Sequence, residues 1–163
     1  MKKRNISYEQ ALIKAQNLCA HQERCISDIR KKLYDWNLPE EHHQKLLQNL
    51  QDNKFIEEER YAKFFARDKF KFNKWGRIKI EYALRQKNIP ANLICDALSQ
   101  ISETDYEVLL ENELLKKKKA IKDQDEYTIK SKLIRFATSK GFESGKVFDK
   151  ISSIVEMHKN NED

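Results

Sequence analysis

The sequence predicts an all-α fold: three tandem three-helix modules in an elongated, curved, solenoid-like body. Three observations carry that expectation. The 163 residues include only three glycines and two prolines, so hairpins and phosphate-cradling loops lack their turn chemistry while helix formers dominate. Apolar residues recur at helical spacing. Three segments, LYDWNLPEEHHQKLLQNL, LRQKNIPANLICDALSQI and ATSKGFESGKVFDKISSI, superimpose with their apolar anchors in register.

In chain order, the first module (residues 1–56) opens with a helix at Ser7, where Ser7 and Gln10 have the spacing of a capping box. A second helix carries Ile29 and Leu33 towards the anchor Leu38, and a third carries Leu47 and Leu50 away from it. The second module (57–101) begins at Glu57, Glu58 and Glu59, whose negative charge suits a helix start. Its anchor is Ile89, with Ile80 and Leu84 before it and Leu98 and Ile101 after it. The third module (102–163) begins at Ser102, with Glu103, Asp105 and Glu107 near the start of its first helix and Lys116 to Lys119 near the end. Its anchor is Phe142, flanked by Leu133, Ala137, Ile151 and Ile154.

The residue before each anchor is Asn37, Asn88 or Gly141, types that tolerate a left-handed backbone and so end a helix at low steric cost. The residue after it is Pro39, Pro90 or Glu143, each expected in a first helical turn, where a missing N–H or a negative charge is tolerated or favoured. Each three-helix unit is too small to bury its own core without neighbours, which is the argument for stacking.

Composition narrows the functional classes. The balance is +6 with a pI near 9.1, and the content of 39% hydrophobic and 10% aromatic residues is that of a folding chain. No apolar run reaches membrane-spanning length, and the first ten residues, MKKRNISYEQ, lack the apolar core of a signal peptide, so no membrane partner and a cytoplasmic location are expected. Cys19, Cys25 and Cys95 lack metal-binding or disulfide spacing and are expected to be reduced and mostly buried. His42 and His43 precede no ligand at metal spacing, and a break near Ser27, read as a cap, would separate His21 from Cys25. Glu57 to Glu59 point in different directions on a helix and do not form a catalytic pair. With no nucleophile elbow or phosphate loop either, no catalytic residue, cofactor or metal is expected.

Charge is segregated. Residues 60–89 hold ten basic and two acidic side chains, a local +8, whereas 38–59 hold six acids and two lysines, a local −4. Such a surface suits a partner presenting both signs, or protein and nucleic acid together. Within it, Trp75 and Gly76 either offer a base-stacking face or mark a helix joint sealed by Trp75 and Phe72; the joint is the simpler reading. Tyr61, Phe64, Phe65 and Phe70 recur at three to four residues and read as packing.

The segments RYAKFFARDK after an acidic run, KWGRIKIEYALRQKNI followed by LICDALSQI, and KLIRFATSKGFESGKVFDKI together resemble the RecX family of recombinase regulators, over residues 11–154. The family's motifs correspond to Glu58-Glu59-Arg60-Tyr61-Ala62, to Trp75 through Tyr82, and to Arg135 through Phe142, with Tyr82 and Ala137 where Leu is usual and Asn88 where Gly is usual. The resemblance implies a non-enzymatic monomer that binds filaments of the RecA recombinase on single-stranded DNA and restrains its ATPase and strand exchange. The partner-facing or nucleic-acid-facing residues expected on this basis are Arg60, Arg67, Lys69, Lys74, Arg77, Lys79, Arg85 and Lys87, with Lys132, Arg135 and Lys140 as a second strip. Single-stranded or duplex DNA is a further expected partner. The rival readings are a helical nucleic-acid-binding protein acting without a recombinase, and a helical scaffold for acidic peptides.

Overall fold

The computed structural model describes residues 4–123 and 125–159, and among these there are nine α-helices and no strand. They are α1 (Tyr8–His21), α2 (Ile26–Asp35), α3 (His43–Asp52), α4 (Glu58–Lys71), α5 (Arg77–Gln86), α6 (Ala91–Ser99), α7 (Glu103–Ala120), α8 (Glu126–Ser139) and α9 (Ser144–Lys159), with a short 3-10 turn at Glu40–His42 before α3. The all-α expectation is met, and the expected module boundaries fall in the α3–α4 and α6–α7 connections.

The helix starts follow local chemistry. Ser7 caps α1 with the anticipated reciprocal bonds to Gln10. Ser102 caps α7 by accepting from the Asp105 N–H, and Asp125, which the sequence reading passed over, caps α8 by accepting from Thr128. Ser27 is not a cap: α2 starts at Ile26, two residues earlier than that cap would give, with Cys25 in the capping position and the Ser27 hydroxyl lying 3.6 Å from the Cys25 sulfur. The break between α1 and α2 that separates His21 from Cys25 is present, at residues 22–25. Pro39 immediately precedes the 3-10 turn, Pro90 immediately precedes α6 and Glu143 immediately precedes α9, one position before the first turn in which they were expected. Their N–H groups would be unpaired there too, so the physical reason is unchanged.

The helix stops repeat. Asn37, Asn88 and Gly141 all have positive φ, at 59°, 59° and 93°. In each case the following anchor donates its N–H five residues back: Leu38 to the Leu33 carbonyl at 3.0 Å, Ile89 to Leu84 at 3.2 Å and Phe142 to Ala137 at 3.1 Å. This 6→1 bond with a left-handed residue before it is the Schellman arrangement, which satisfies a carbonyl that the helix end would orphan. Lys54 (φ 63°) plays the same role after α3, with Phe55 bonded to Leu50, although Lys is not a residue type that signals it.

By Cα proximity the described residues form two units. The first comprises those up to Phe64 together with Leu84–Ala97, and the second Phe65–Ala83 together with those from Leu98 onward, so α4, α5 and α6 each contribute residues to both. In the first, α1, α2 and α3 enclose a core of Ala11, Ala15, Ile29, Leu33, Leu38, Leu46, Leu47, Leu50 and Ile56. The alanines of α1 let α3 approach closely, and the anchor Leu38 belongs to this core. Three thiols are graded in exposure: Cys25 is buried, Cys19 half-buried and Cys95 exposed, so the expectation of mostly buried thiols fails for Cys95. Desolvation pushes the Cys19 thiol up to about 11 and raises that of Cys25, so both stay protonated near neutrality. In the second unit α7, α8 and α9 pack on one another, burying Tyr106, Leu110, Leu114, Leu133, Ala137, Phe142, Val147, Ile151 and Ile154.

A candidate cationic docking surface

The site is built on a backbone junction in the second unit. Gly76 N–H donates to the Lys140 carbonyl at 2.8 Å and Ile78 N–H to the Gly141 carbonyl at 3.0 Å, which lays the start of α5 against the stop of α8. A Cβ on Gly76 would lie 2.3 Å from the carbonyl carbon and oxygen of Gly141; one on Gly141 would lie 2.3 Å from the Lys79 Cβ. No side chain fits between the two glycines. Gly76 therefore marks a joint, as the simpler sequence reading held, and its partner in that joint is the stop of the third repeat.

Arg77 is absorbed by this junction. Its N–H donates to the Tyr106 hydroxyl at 3.0 Å, and that hydroxyl donates to Glu143 at 2.6 Å. Its guanidinium carbon sits 3.9 Å from the Tyr106 ring centroid, while its terminal nitrogens reach Glu103 at 2.7 Å and Glu143 at 3.6 Å. Burial, and then donation to the Glu143 carboxylate, raise the Tyr106 phenol, so it remains a neutral donor. The Arg77 side chain is 17% exposed. Phe70 stacks on Tyr106 at 6.1 Å and Phe142 tilts against it at 5.3 Å.

Around this joint further cations of the second unit are half-buried or exposed. The Trp75 ring packs edge-on to Phe65 and carries Lys69 Nζ at 5.3 Å and Lys79 Nζ at 4.7 Å from its centroid. Such cation–π contacts hold an ammonium in place without neutralising it. Lys74, at φ 58°, and Lys140 donate only to main-chain carbonyls, of Lys71 at 2.7 Å and of Asn73 at 2.9 Å, and so also keep their charge available. Arg67 is exposed and makes no ion pair among the described residues. Phe72, expected to seal the joint, is instead 69% exposed and stands beside Lys71, whose Nζ lies 5.4 Å from its ring. The structure thus brings Lys69 and Lys79 onto Trp75, and anchors Lys74 and Lys140 to main-chain carbonyls of the segment just before it.

Of the other expected contact residues, Arg60, Lys87 and Lys132 have carboxylate partners. In the first unit Arg60 pairs with Glu23 at 2.6 Å and Glu57 at 3.3 Å and donates to the carbonyls of Lys54 and Phe55. Lys87 pairs with Asp28, and Arg85 is exposed on the same helix end. In the second unit Lys132 pairs with Asp123, while Arg135 is exposed on α8. Along α7 and α9 a ladder runs from Glu103 through Lys146, Glu107 and Lys150 to Glu111, with separations of 2.9–3.5 Å. Hydrogen bonding from Lys146 depresses both the Glu103 and Glu107 carboxyls. No helix of the described residues is long and apolar enough to cross a membrane.

Comparison with known proteins gives this surface a setting. Residues 58–98 match the family model described as RecX, second three-helix domain. The Regulatory protein RecX of Clostridium perfringens (strain 13 / Type A) is 32% identical over 138 residues, covering 83% of this chain and 62% of the relative, so the chain spans less than two thirds of that protein's length. Among solved structures, a crystal structure of regulatory protein RecX superposes with a TM-score of 0.78 at 29% identity, over 90% of this chain and 73% of that one. RecX from Lactobacillus salivarius superposes with a TM-score of 0.79 over 92% of this chain and 97% of that one, at 19% identity, a likeness of fold alone.

Proposed function

Because the chain belongs to the RecX family, we propose that it is a regulatory protein that binds the RecA recombinase filament on single-stranded DNA and restrains its ATPase and strand exchange, by docking rather than catalysis. In this reading it acts in the cytoplasm as a monomer, with the three helix trios of residues 1–56, 57–101 and 102–163 as its working modules. The observation that carries the reading is a pair of ammonium groups over Trp75 with two more anchored to the main chain of residues 71–73. Lys69, Lys74, Lys79 and Lys140 keep their charge while aromatic or main-chain contacts fix their positions. A preorganised cationic surface favours an anionic partner because less side-chain freedom is lost on docking.

Not every expected contact residue is equally available. Arg67, Lys69, Lys74, Lys79 and Lys140 are the contact residues of this reading, with Arg135 beyond them. Arg77 and Arg60 hold the fold, so their positive charge is already balanced at close range. Docking across adjacent protomers of a filament would oppose the motion that couples nucleotide turnover to filament growth.

The test is the DNA-dependent ATPase of the cognate recombinase, measured with the protein at low molar ratio. The expected result is inhibition that the Lys69→Glu, Lys79→Glu double variant relieves at unchanged helicity. An ATPase and filament lifetime unaffected by the wild-type protein would refute the reading. Tight, salt-sensitive binding to naked DNA in that same experiment would favour a nucleic-acid-binding protein working without a recombinase.

A further inference from the structure

A recess not lined by Trp75 lies in the same unit. It is an open cleft of about 580 Å³ between the C-terminal end of α7 and one face of α8, lined by Lys117, Ala120, Ile121, Lys122, Lys132 and Arg135 together with Asp123, Phe136 and Ser139. That size is within the ordinary range for a ligand site. Its walls combine two chemistries. Ala120, Ile121 and Phe136 supply apolar surface, and four cations stand over them against the single carboxylate of Asp123.

The four cations are not equivalent. Lys132 is neutralised by Asp123, and Lys117 Nζ lies over the Phe136 ring at 5.5 Å from its centroid. Lys122 and Arg135 are exposed and make no ion pair among the described residues. The cleft therefore presents three uncompensated charges beside an apolar floor, one of them, Lys117, held over the Phe136 ring. Two classes of anion could answer such charges, a nucleic acid or an acidic peptide, and the floor separates them. A polynucleotide would use the floor by stacking a base on Phe136, but Lys117 already covers that ring, so stacking would have to displace a favourable contact. An aliphatic side chain needs no ring face and can lie on Ala120 and Ile121 while carboxylates on either side reach Lys122 and Arg135.

We propose that the α7–α8 cleft is a docking site for an acidic peptide segment, one that seats an aliphatic residue on Ala120 and Ile121 between carboxylates paired with Lys122 and Arg135. The proposal requires neither a recombinase nor DNA and goes beyond the family reading. It gives the α7–α8 cleft a peptide-binding role that does not involve the lysines over Trp75.

The experiment uses the full chain and a fluorescein-labelled peptide alternating Glu and Leu, followed by fluorescence anisotropy. The expected result is saturable binding that the Lys122→Glu, Arg135→Glu double variant weakens at least about tenfold, the loss of one or more close charge pairs. A Lys31→Glu control, on the exposed face of α2, should leave it unchanged. Far-UV circular dichroism should show the double variant folded, since both substituted side chains are exposed. Binding that the double variant leaves intact overturns the proposal, as does no binding at all. Displacement of the peptide by oligothymidylate as readily as by unlabelled peptide would assign the cleft to nucleic acid instead. No recombinase is present, so failure here leaves the ATPase test standing, and a failed ATPase test leaves this one standing.

Discussion

The stops at Asn37 and Gly141 are the same device put to different uses. Both residues are left-handed, and both precede an anchor bonded five residues back. Asn37 is exposed, and its side-chain amide reaches Asn5. Gly141 is buried, has Gly76 laid against its carbonyl, and has no volume for a Cβ. One local geometry can thus serve only to end a helix in the first unit and to dock another helix in the second. The difference lies in whether backbone elsewhere approaches the turn.

The largest expected effect tests that contrast directly. Gly141→Asn should lower the unfolding free energy by about 3 kcal/mol or more, because the new Cβ meets Lys79 backbone that cannot move away. Asn37→Gly should change stability by no more than about 0.5 kcal/mol, since the turn is open and glycine adopts the conformation freely. Chemical denaturation of the two variants measures both, and similar penalties would erase the distinction. Gly76→Ala approaches the joint from its other side and should cost about 2–3 kcal/mol, again through overlap with main-chain atoms.

A smaller effect compares neighbours on α5. Arg77→Ala removes a guanidinium that holds Glu103, Glu143 and the Tyr106 ring, and should cost about 2 kcal/mol. Lys79→Ala should cost less than about 0.5 kcal/mol and instead weaken docking, because a partly exposed ammonium over a ring contributes little to folding. Equal losses of stability would mean that the two cations are not divided between fold and surface.

The smallest expected effect is electrostatic. Glu103 and Glu107 titrate below the ordinary carboxylate value in the folded protein. Their contribution is present above the unfolded-state value and is lost as pH falls through the depressed folded one. Stability should therefore decline gently on acidification below the ordinary carboxylate range, less so in high salt, and the decline should shrink in Lys146→Ala. A decline of the same size in that variant would assign it to other carboxylates.

The repeat was legible in the sequence because it is local: helix faces, caps and left-handed stops are set by residues within one or two turns, and their spacing can be read directly. Asn37, Asn88 and Gly141 were identifiable for that reason. Lys54 and Lys74 were not, since lysine does not advertise positive φ. The charge of residues 60–89 could be counted, but its availability could not. Whether a cation is spent depends on carboxylates far away in the chain: Glu23 for Arg60, and Glu103 and Glu143 for Arg77. Phe72 and Trp75 show the same limit, because adjacent aromatics of one segment were expected to share a role and only Trp75 is packed.

The grading of the three thiols has a practical consequence. A thiol-reactive dye should label Cys95 at once, Cys19 more slowly, and Cys25 only when the α1–α2 region opens. The chain thus carries its own clock for local breathing, with a surface reference already installed, and reading Cys25 labelling against Cys95 would time those openings without any engineered probe.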